Sequence, residues 1–457
     1  MDSLNRETAK IPKRILNTLL SSLGAGVVPR SGAPYIAIGR REEIASLLAG
    51  LETVSAGGAT VRFLIGRYGS GKSFLLQLMR GYALERGFLT ADADLSPERR
   101  LCGGADYGLA TYRELMRNLA SRAAPDGGAL SVILSRHYSA LRTELAAAGI
   151  LPESPEFEKQ LRVKIYTTLS ELEGGVGGFD FARVLGEYYS ACIADDREKM
   201  SACLRWLRGE FSGKTEARRE LGFSVSLVID DDNWYDFIKL WALLATRLGY
   251  QGLILYIDEC VNLYKIPNRI SRDANYEKLL AIFNDTLQGR AAGLGVIFGG
   301  TPQFLEDTRR GLFSYEALRS RLADSRFTEQ GYVTLSSPVI RLRRLSDDEL
   351  LALIARLTHL HAEQVGGGDA VTPEEMVSFL QAALARAGAE ELVTPREIIR
   401  DYLTLLNILH ENPQVRFAEL LGAEKSDKAA SLDGEMAADN VSAEKQRPKF
   451  EPADLDF

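Results

Sequence analysis

Cysteine and histidine are scarce in this 457-residue chain, which contains four of each. The cysteines show no C-x-x-C spacing, so we expect neither a zinc site nor a disulfide framework. No run of about 18 apolar residues occurs, and the N-terminus lacks the apolar core of a signal peptide. These absences predict a protein that has no membrane span and is located in the cytoplasm.

A strong charge of one sign is also lacking. The net charge is −7, which argues against a uniformly basic nucleic-acid-binding surface but allows a local basic patch. Hydrophobic residues make up 46% of the chain and charged residues 26%, as in ordinary globular proteins. At about 100–200 residues per domain, the length predicts two to four domains with a large core.

A glycine-rich stretch is the most informative feature of the sequence. The β-prone residues 61–65 lead into Gly66-Arg67-Tyr68-Gly69-Ser70-Gly71-Lys72-Ser73, and an apolar helix follows from Phe74. The eight residues match the phosphate-binding pattern G-x-x-x-x-G-K-[ST] without a mismatch. Glycines let successive backbone N–H groups turn toward phosphate oxygens, and the helix N-terminus adds a favourable dipole. We predict that residues 66–74 bind ATP, that Lys72 contacts the β- and γ-phosphates and that Ser73 ligates Mg²⁺.

A second motif comes much later in the chain. The apolar run Leu253-Ile254-Leu255-Tyr256-Ile257 ends in Asp258-Glu259. Apolar side chains on both faces predict a central, buried parallel strand. Two carboxylates at the end of such a strand are energetically costly near a core, which indicates that they have a function. In a chain that also has the phosphate loop, this pattern predicts that Asp258 holds Mg²⁺ and that Glu259 activates the attacking water.

Two further segments occupy places where an ATPase would use them. Ile38-Gly39-Arg40 precedes a helix ahead of the phosphate loop. This order resembles that of the AAA+ ATPases, and the resemblance implies that these residues lie over the adenine; a simple turn before a helix is the alternative. Thr301 follows another buried strand, and we predict that it is a polar sensor between the two motifs. The alternative for Thr301 is a helix or turn cap, since Pro302 comes next.

Three arginines are candidates for stabilising the charge on the transferring γ-phosphoryl group. Arg319 and Arg321 cannot share one helical face, so one of them can project into a neighbouring subunit as an arginine finger. Arg396 lies in the first turn of a helix that opens with Thr394 and Pro395, where a cation opposes the helix dipole. We predict that Arg396 reaches back to the γ-phosphate. For Arg319 and Arg321, a solvated surface position is the alternative.

Two acidic groups are open to a structural or a functional interpretation. Asp92 and Asp94 come near the end of the second predicted strand, where we favour solvated carboxylates close to a bound nucleotide. Asp230-Asp231-Asp232-Asn233 looks like a metal cluster, but we favour a helix N-cap with an acidic first turn.

The order of these motifs resembles that of the AAA+ ATPases, over roughly residues 35–95 and 250–420. More narrowly, the chain resembles the ATP-binding proteins of bacteriophage-exclusion (BREX) systems over nearly its whole length. The stretches that carry this second resemblance are Ile11-Pro12-Lys13-Arg14-Ile15, the glycine-rich loop itself, Asp230-Asp231-Asp232-Asn233-Trp234-Tyr235, Ala317-Leu318-Arg319-Ser320-Arg321-Leu322 and Thr394-Pro395-Arg396-Glu397.

The resemblance implies an α/β fold, with a three-layer αβα P-loop (ASCE/AAA+) parallel sheet. We expect an N-terminal helical arm at 1–34 and an ATPase core at 35–344 with a helical insertion at about 97–222. A helical lid domain is expected at 345–422 and a disordered acidic tail at 423–457.

The resemblance also implies a function. We expect an enzyme that hydrolyses ATP with Mg²⁺, forms a homo-oligomer and acts on DNA with a helicase partner in bacterial antiphage defence. Basic clusters such as Arg309-Arg310 or Arg341-Arg343-Arg344 would supply the DNA contacts. A STAND-like signalling switch with slow turnover is the alternative, and a small-molecule kinase is a weaker one.

Overall fold

A computed structural model describes residues 11–104, 106–324, 334, 336–386 and 394–421 of the chain. These residues divide into two compact units. The helical unit contains the described parts of 1–41, 68–77 and 343–457, and the sheet unit contains the described parts of 42–67 and 78–342. The predicted acidic tail, 423–457, lies outside the described residues.

Among the described residues, five parallel strands form the sheet, and Leu253–Asp258 and Leu294–Gly300 are its central buried strands. The order across the sheet is β2-β3-β4-β1-β5. Because the strands are parallel, their carboxyl ends lie at one edge, which we call the carboxyl edge. The chain is therefore an α/β protein whose sheet is consistent with a P-loop αβα fold. The strands are β1 (Thr60–Ile65), β2 (Leu89–Asp94), β3 (Leu253–Asp258), β4 (Leu294–Gly300) and β5 (Val339–Arg341).

The outer strand β2 is covered on its free side. Thr90 exchanges two backbone hydrogen bonds with Ala120, with N–O distances of 3.1 and 2.7 Å. This isolated antiparallel bridge satisfies groups that would otherwise be exposed on an edge strand. The predicted second strand thus lies at one side of the sheet, next to β3.

Helices account for most of the remaining sheet unit. Residues 107–221, within the predicted insertion, form six of them. The helices numbered here are α4 (Tyr107–Arg117), α5 (Leu130–Ala147), α6 (Pro155–Ser170), α7 (Gly178–Ala194), α8 (Arg197–Leu207), α9 (Lys214–Leu221), α10 (Trp234–Arg247), α11 (Val261–Tyr264), α12 (Arg269–Leu287), α13 (Pro302–Glu306) and α14 (Glu316–Leu322). Two helices, α2 (Arg41–Ser55) and α3 (Lys72–Glu85), begin among residues of the helical unit and continue into the sheet unit.

One hydrophobic core joins the strands with the helices of residues 107–247. Aromatic side chains fill much of it: the rings of Phe181 and Trp241 meet edge to face with centroids 5.0 Å apart. The indole N–H of Trp241 donates to the Tyr112 hydroxyl, which donates to the carbonyl of Leu207. The polar atoms of Trp241 and Tyr112 are therefore satisfied within the core.

The helical unit has its own core. The N-terminal helix α1 packs against α15 and α17, and buried residues such as Leu16, Leu19, Ile354, Leu357 and Tyr402 lie in the shared cluster. Two of its helices begin with capping boxes, in which a hydroxyl side chain and a glutamate satisfy each other's backbone N–H groups. The helices are α1 (Lys13–Gly24), α15 (Asp347–Val365), α16 (Pro373–Arg386) and α17 (Pro395–Glu411).

Candidate functional site

The glycine-rich loop joins β1 to α3, as the motif predicts. Gly66 follows the last residue of β1, and its N–H donates to the carbonyl of Gly300 at the end of β4, with an N–O distance of 3.1 Å. Gly69 and Gly71 adopt φ angles of 73° and 92°, a region that side chains disfavour. Helix α3 then begins at Lys72. The loop therefore has the backbone shape and the following helix that a phosphate cradle requires.

Two side chains of the loop meet each other. The ammonium nitrogen of Lys72 lies 5.5 Å from the ring centroid of Tyr68, within the range of a cation–π contact. Tyr68 is 62% exposed, and the neighbouring Arg67 is also exposed. The loop thus presents a lysine, an aromatic ring and an arginine at its surface.

Residues 38–40 and the phosphate loop come together within the helical unit. Ile38 and Phe74, two of the predicted nucleotide-binding residues, both pack at the margin of its hydrophobic core. Arg40 is 5% exposed, and its guanidinium donates to the carbonyl of Ser70 with an N–O distance of 2.8 Å. The segment predicted to lie over the adenine is therefore close to the loop predicted to hold the phosphates.

Asp258 and Glu259 lie at the carboxyl edge of the sheet. Asp258 ends β3 and is 7% exposed, and its carboxylate accepts a 2.8 Å hydrogen bond from the backbone N–H of Glu259. Glu259 has a φ of 56°, a left-handed conformation that costs a non-glycine residue about 1–2 kcal/mol. Such strain is common at functional sites, where it aims a side chain. Here it turns the chain sharply after the strand.

A third carboxylate stands beside them. Asp94 ends β2 directly opposite Asp258, and the backbone N–H of Leu95 donates to the carbonyl of Asp258. Burial and the negative charges of Asp258, Asp92 and Glu259 raise the pKa of Asp94 to about 6. This edge of the sheet therefore concentrates negative charge, which a divalent cation would neutralise.

Helix α3 packs on the sheet face that carries these acids. Arg80, on α3, forms a 3.0 Å ion pair with Asp92. Side chains alternate between faces along a strand, so Asp92 and Asp94 share a face, as do Tyr256 and Asp258 opposite them. The contact places the second half of the phosphate-loop helix over the same face as the acidic pair of β2.

Thr301 has the capping role that we gave as its alternative interpretation. It is 6% exposed, and its hydroxyl oxygen accepts from the backbone N–H of Phe304 at the start of α13. A hydroxyl group that accepts one hydrogen bond can still donate its proton to another acceptor. The sensor role of Thr301 therefore stays a prediction.

The three predicted charge-stabilising arginines lie on two elements. Arg319 and Arg321 are exposed on α14, and Arg321 donates to the carbonyl of Ala317. Among the described residues, neither has a carboxylate within 4 Å. Arg396 is the second residue of α17, and its side-chain methylenes pass beside Gly26. Thr394, two residues earlier, packs so closely on Gly69 that a Cβ at Gly69 would collide with the threonine methyl group.

The run Asp230–Asn233 is used for turns and caps in a way that differs from the N-cap we expected. Asp230 accepts from the backbone N–H groups of Asp232 and Asn233, ahead of α10. Asp231 instead accepts from the N–H of Gly108 in the first turn of α4, and from Gly103. In the described part of the chain, no group of three acidic, histidine or cysteine side chains could hold a metal ion. The run therefore connects segments that are far apart in the chain through hydrogen bonds to their backbone.

Sequence reasoning missed three tertiary contacts at this site: Arg40 with Ser70, Thr394 with Gly69, and Asp231 with the start of α4. Each joins residues far apart in the chain, so no local pattern reports it. No sequence signal pointed to the last contact, because Asp106 directly precedes α4 and is a favourable N-cap residue, yet its side chain makes no capping hydrogen bond.

The parallel sheet and the loop between β1 and α3 are both consistent with the class of nucleotide-binding P-loop proteins. A family model described as BREX system ATP-binding protein BrxC/D matches residues 11–425. The chain belongs to this family, and its family supports ATP binding in a BREX-type antiphage system. No curated protein matches the chain. Every helix among the described residues is too short or too polar to cross a membrane.

Proposed function

We propose that this protein is an AAA+ ATPase that binds and hydrolyses ATP with Mg²⁺. The observation that carries the proposal is the shape of residues 66–73: two left-handed glycines lead straight into the N-terminus of α3. The family match to ATP-binding proteins supports the same ligand. The residues present also fit the metal, because Mg²⁺ binds through one or two carboxylates plus substrate phosphates and water.

The loop 66–73 and the pair Asp258 and Glu259 have different roles in the proposed mechanism. The backbone N–H groups of the loop and the ammonium of Lys72 bind the phosphates, and the hydroxyl of Ser73 and the carboxylate of Asp258 hold the cation. When bound, Mg²⁺ neutralises charge on the phosphate oxygens. Glu259 accepts a proton from the attacking water, and its fixed left-handed backbone orients the carboxylate for that step.

The adenine is recognised by the segment around residues 38–40. Ile38 and Phe74 are apolar residues from two separate segments of the chain, and both pack at the margin of the core of the helical unit. An aromatic base gains from burial against such side chains. We propose that Ile38 and Phe74 contact the base, while Gly39 and Arg40 shape the segment.

Thr301, Arg396 and an arginine of α14 complete the site. Thr301 donates its hydroxyl proton to the γ-phosphate or to the attacking water. The contact of Thr394 with Gly69 supports a place for Arg396 near the phosphates, because the two residues share the start of α17. Arg319 and Arg321 are exposed, as an arginine that reaches into another subunit must be. We propose that the enzyme works as a homo-oligomer, because such an arginine acts on the site of a neighbouring subunit.

Action on DNA with a helicase partner is proposed from the family's BREX role and not from a basic surface. Several arginines of the predicted basic clusters have partners within the protein, although Arg309, Arg341, Arg343 and Arg344 are exposed. Arg310 donates to the carbonyls of Tyr264 and Ile266, and Arg341 pairs with Glu306 and Asp324. Because Arg310 and Arg341 already have these partners, we propose that other residues or the helicase partner supply part of the phosphate contacts.

ATP turnover tests the proposal. Phosphate release is measured for the wild type, Lys72→Ala and Glu259→Gln. The control is Glu153→Gln, which changes an exposed carboxylate in the turn before α6. We expect at least a hundredfold loss in the first two variants and none in the control. Nucleotide binding should fail in Lys72→Ala but persist in Glu259→Gln. Unchanged turnover in either variant would show that the site is wrong, and tight binding without wild-type turnover would favour a signalling switch.

A further inference from the structure

Arg40 is buried beside the phosphate loop and is bonded to it through the backbone. Its side chain is 5% exposed. One terminal nitrogen donates to the carbonyl of Ser70 and the other to the carbonyl of Arg343, both with N–O distances of 2.8 Å. A buried guanidinium is tolerated when its donors are satisfied, and the planar fork fixes the direction of each bond.

The bond to Ser70 has a consequence for the next residue. The carbonyl of Ser70 and the N–H of Gly71 belong to one planar peptide group, in which they point in opposite directions. Arg40 holds the carbonyl from one side, so the N–H of Gly71 is turned to the other side. Gly71 has no side chain and adopts a φ of 92°, so steric hindrance alone restricts the orientation of this peptide less than at other residues.

The second anchor of Arg40 is itself held. The side chain of Arg343 forms a two-bond ion pair with Glu349, and Glu349 also closes the capping box of α15 with Ser346. Gly69, one residue before Ser70, is fixed from outside by Thr394. The carbonyl of the peptide between Ser70 and Gly71 is therefore held by an arginine that is itself bonded to another segment of the helical unit.

We propose that Arg40 is a positioning residue of the ATPase: by holding the Ser70 carbonyl, it aims the Gly71 N–H at a nucleotide phosphate. The proposal rests on the proposed function, because it requires the loop to bind phosphates. It assigns Arg40 a role through the loop, whereas the sequence suggested a place over the adenine. The two roles differ in which part of the nucleotide loses affinity when Arg40 is changed.

A nucleotide series separates these roles. Affinities for AMP, ADP and ATP are measured for the wild type, Arg40→Ala, Arg40→Lys and the control Arg41→Ala, an exposed arginine next in the chain. We expect Arg40→Ala to bind ADP and ATP at least tenfold more weakly, with AMP affinity changed less than twofold. Arg40→Lys keeps the charge and one donor direction, so it should recover part of the loss, and Arg41→Ala should match the wild type.

Several results would overturn the proposal. Equal losses for AMP, ADP and ATP would place Arg40 on the base or sugar, and unchanged ADP affinity would show that the loop does not need it. If Arg40→Ala fails to fold, shown by its circular dichroism and melting curve, Arg40→Lys carries the same comparison. Absence of ADP and ATP binding by the wild type would instead contradict the proposed function, and this inference would fall with it.

Discussion

At the residue scale, Glu259 combines a strained backbone with a proposed catalytic role. Its φ of 56° places the residue where side chains are disfavoured, directly after a buried strand. The N–H of Glu259 is tied to the carboxylate of Asp258, and the next N–H, of Cys260, is tied to the carbonyl of Gly299. The surrounding hydrogen bonds thus maintain a backbone conformation that is unfavourable for an isolated glutamate.

This strain predicts an order of stability among variants at position 259. Glu259→Gly relieves it and Glu259→Ala does not, while both remove the same charge. We expect the glycine variant to melt about 2 °C higher than the alanine variant, because about 1 kcal/mol corresponds to a shift of this size in a large protein. Differential scanning calorimetry without nucleotide measures the difference. An alanine variant that melts at or above the glycine variant would contradict the strained geometry.

The crowded acids predict a second stability effect, at Asp94. Its pKa of about 6 lies above the usual value of 3.8, so the folded protein binds the proton more tightly than the unfolded chain. Stability is therefore lost as pH rises between those two values. We expect Asp94→Asn to melt higher than the wild type at pH 7, with the gap closing as pH falls toward 4. Melting curves without Mg²⁺ across this range provide the test, and a gap that is absent at pH 7 would contradict it.

At the element scale, the start of α15 depends on one glutamate. Glu349 accepts two bonds from Arg343 and one from the backbone N–H of Ser346, and these bonds lower its pKa below 4.5, with the Arg343 contact as the largest cause. A lowered carboxylate pKa stabilises the fold above the unfolded value, and that stability is lost as pH falls through the folded value.

Replacement of Glu349 by glutamine tests this contribution. We expect Glu349→Gln to lose about 1 kcal/mol at pH 7, since the capping box and the charge-assisted bonds are both weakened. The matched control is Asp348→Asn, an exposed acid in the same first turn. The loss should shrink when melting is measured near pH 4. An equal effect in both variants would show that the helix dipole, and not the pairing with Arg343, accounts for it.

Elements with a strong local pattern could be predicted from the sequence, and contacts between distant segments could not. The continuous apolar runs of β3 and β4 and the full match of the glycine loop predicted their positions, and Thr394-Pro395 predicted the start of α17. The partners of Arg40 and the capping of α4 by Asp231 depend on how loops meet in space. The run of aspartates was difficult for the same reason, because its first two acids cap different segments.

At the scale of the whole molecule, the predicted site residues fall into two sets. The loop residues from Tyr68 to Phe74, residues 38–40 and Arg396 belong to the helical unit, while Asp258, Glu259 and Thr301 belong to the sheet unit. We propose that residues of both sets take part in ATP binding and hydrolysis. Membership of the BREX ATP-binding family gives that claim its biological setting.

An arginine supplied by a neighbouring subunit predicts complementation between inactive variants. Lys72→Ala lacks the phosphate-binding lysine, and Arg319→Ala/Arg321→Ala lacks both candidate fingers. Neither should hydrolyse ATP alone, but a mixture should regain activity, up to about a quarter of the wild type if subunits mix at random. Turnover is measured after the proteins are mixed and reassembled. A mixture as inactive as its components would contradict an arginine acting between subunits.

The most direct measurement is an experimental structure of Glu259→Gln with ATP and Mg²⁺. We expect the β- and γ-phosphates within the loop 66–73, the ammonium of Lys72 on their oxygens, and the cation between the Ser73 hydroxyl and Asp258. A nucleotide bound elsewhere, or phosphates in the loop with Asp258 and residue 259 remote from the γ-phosphate, would contradict it.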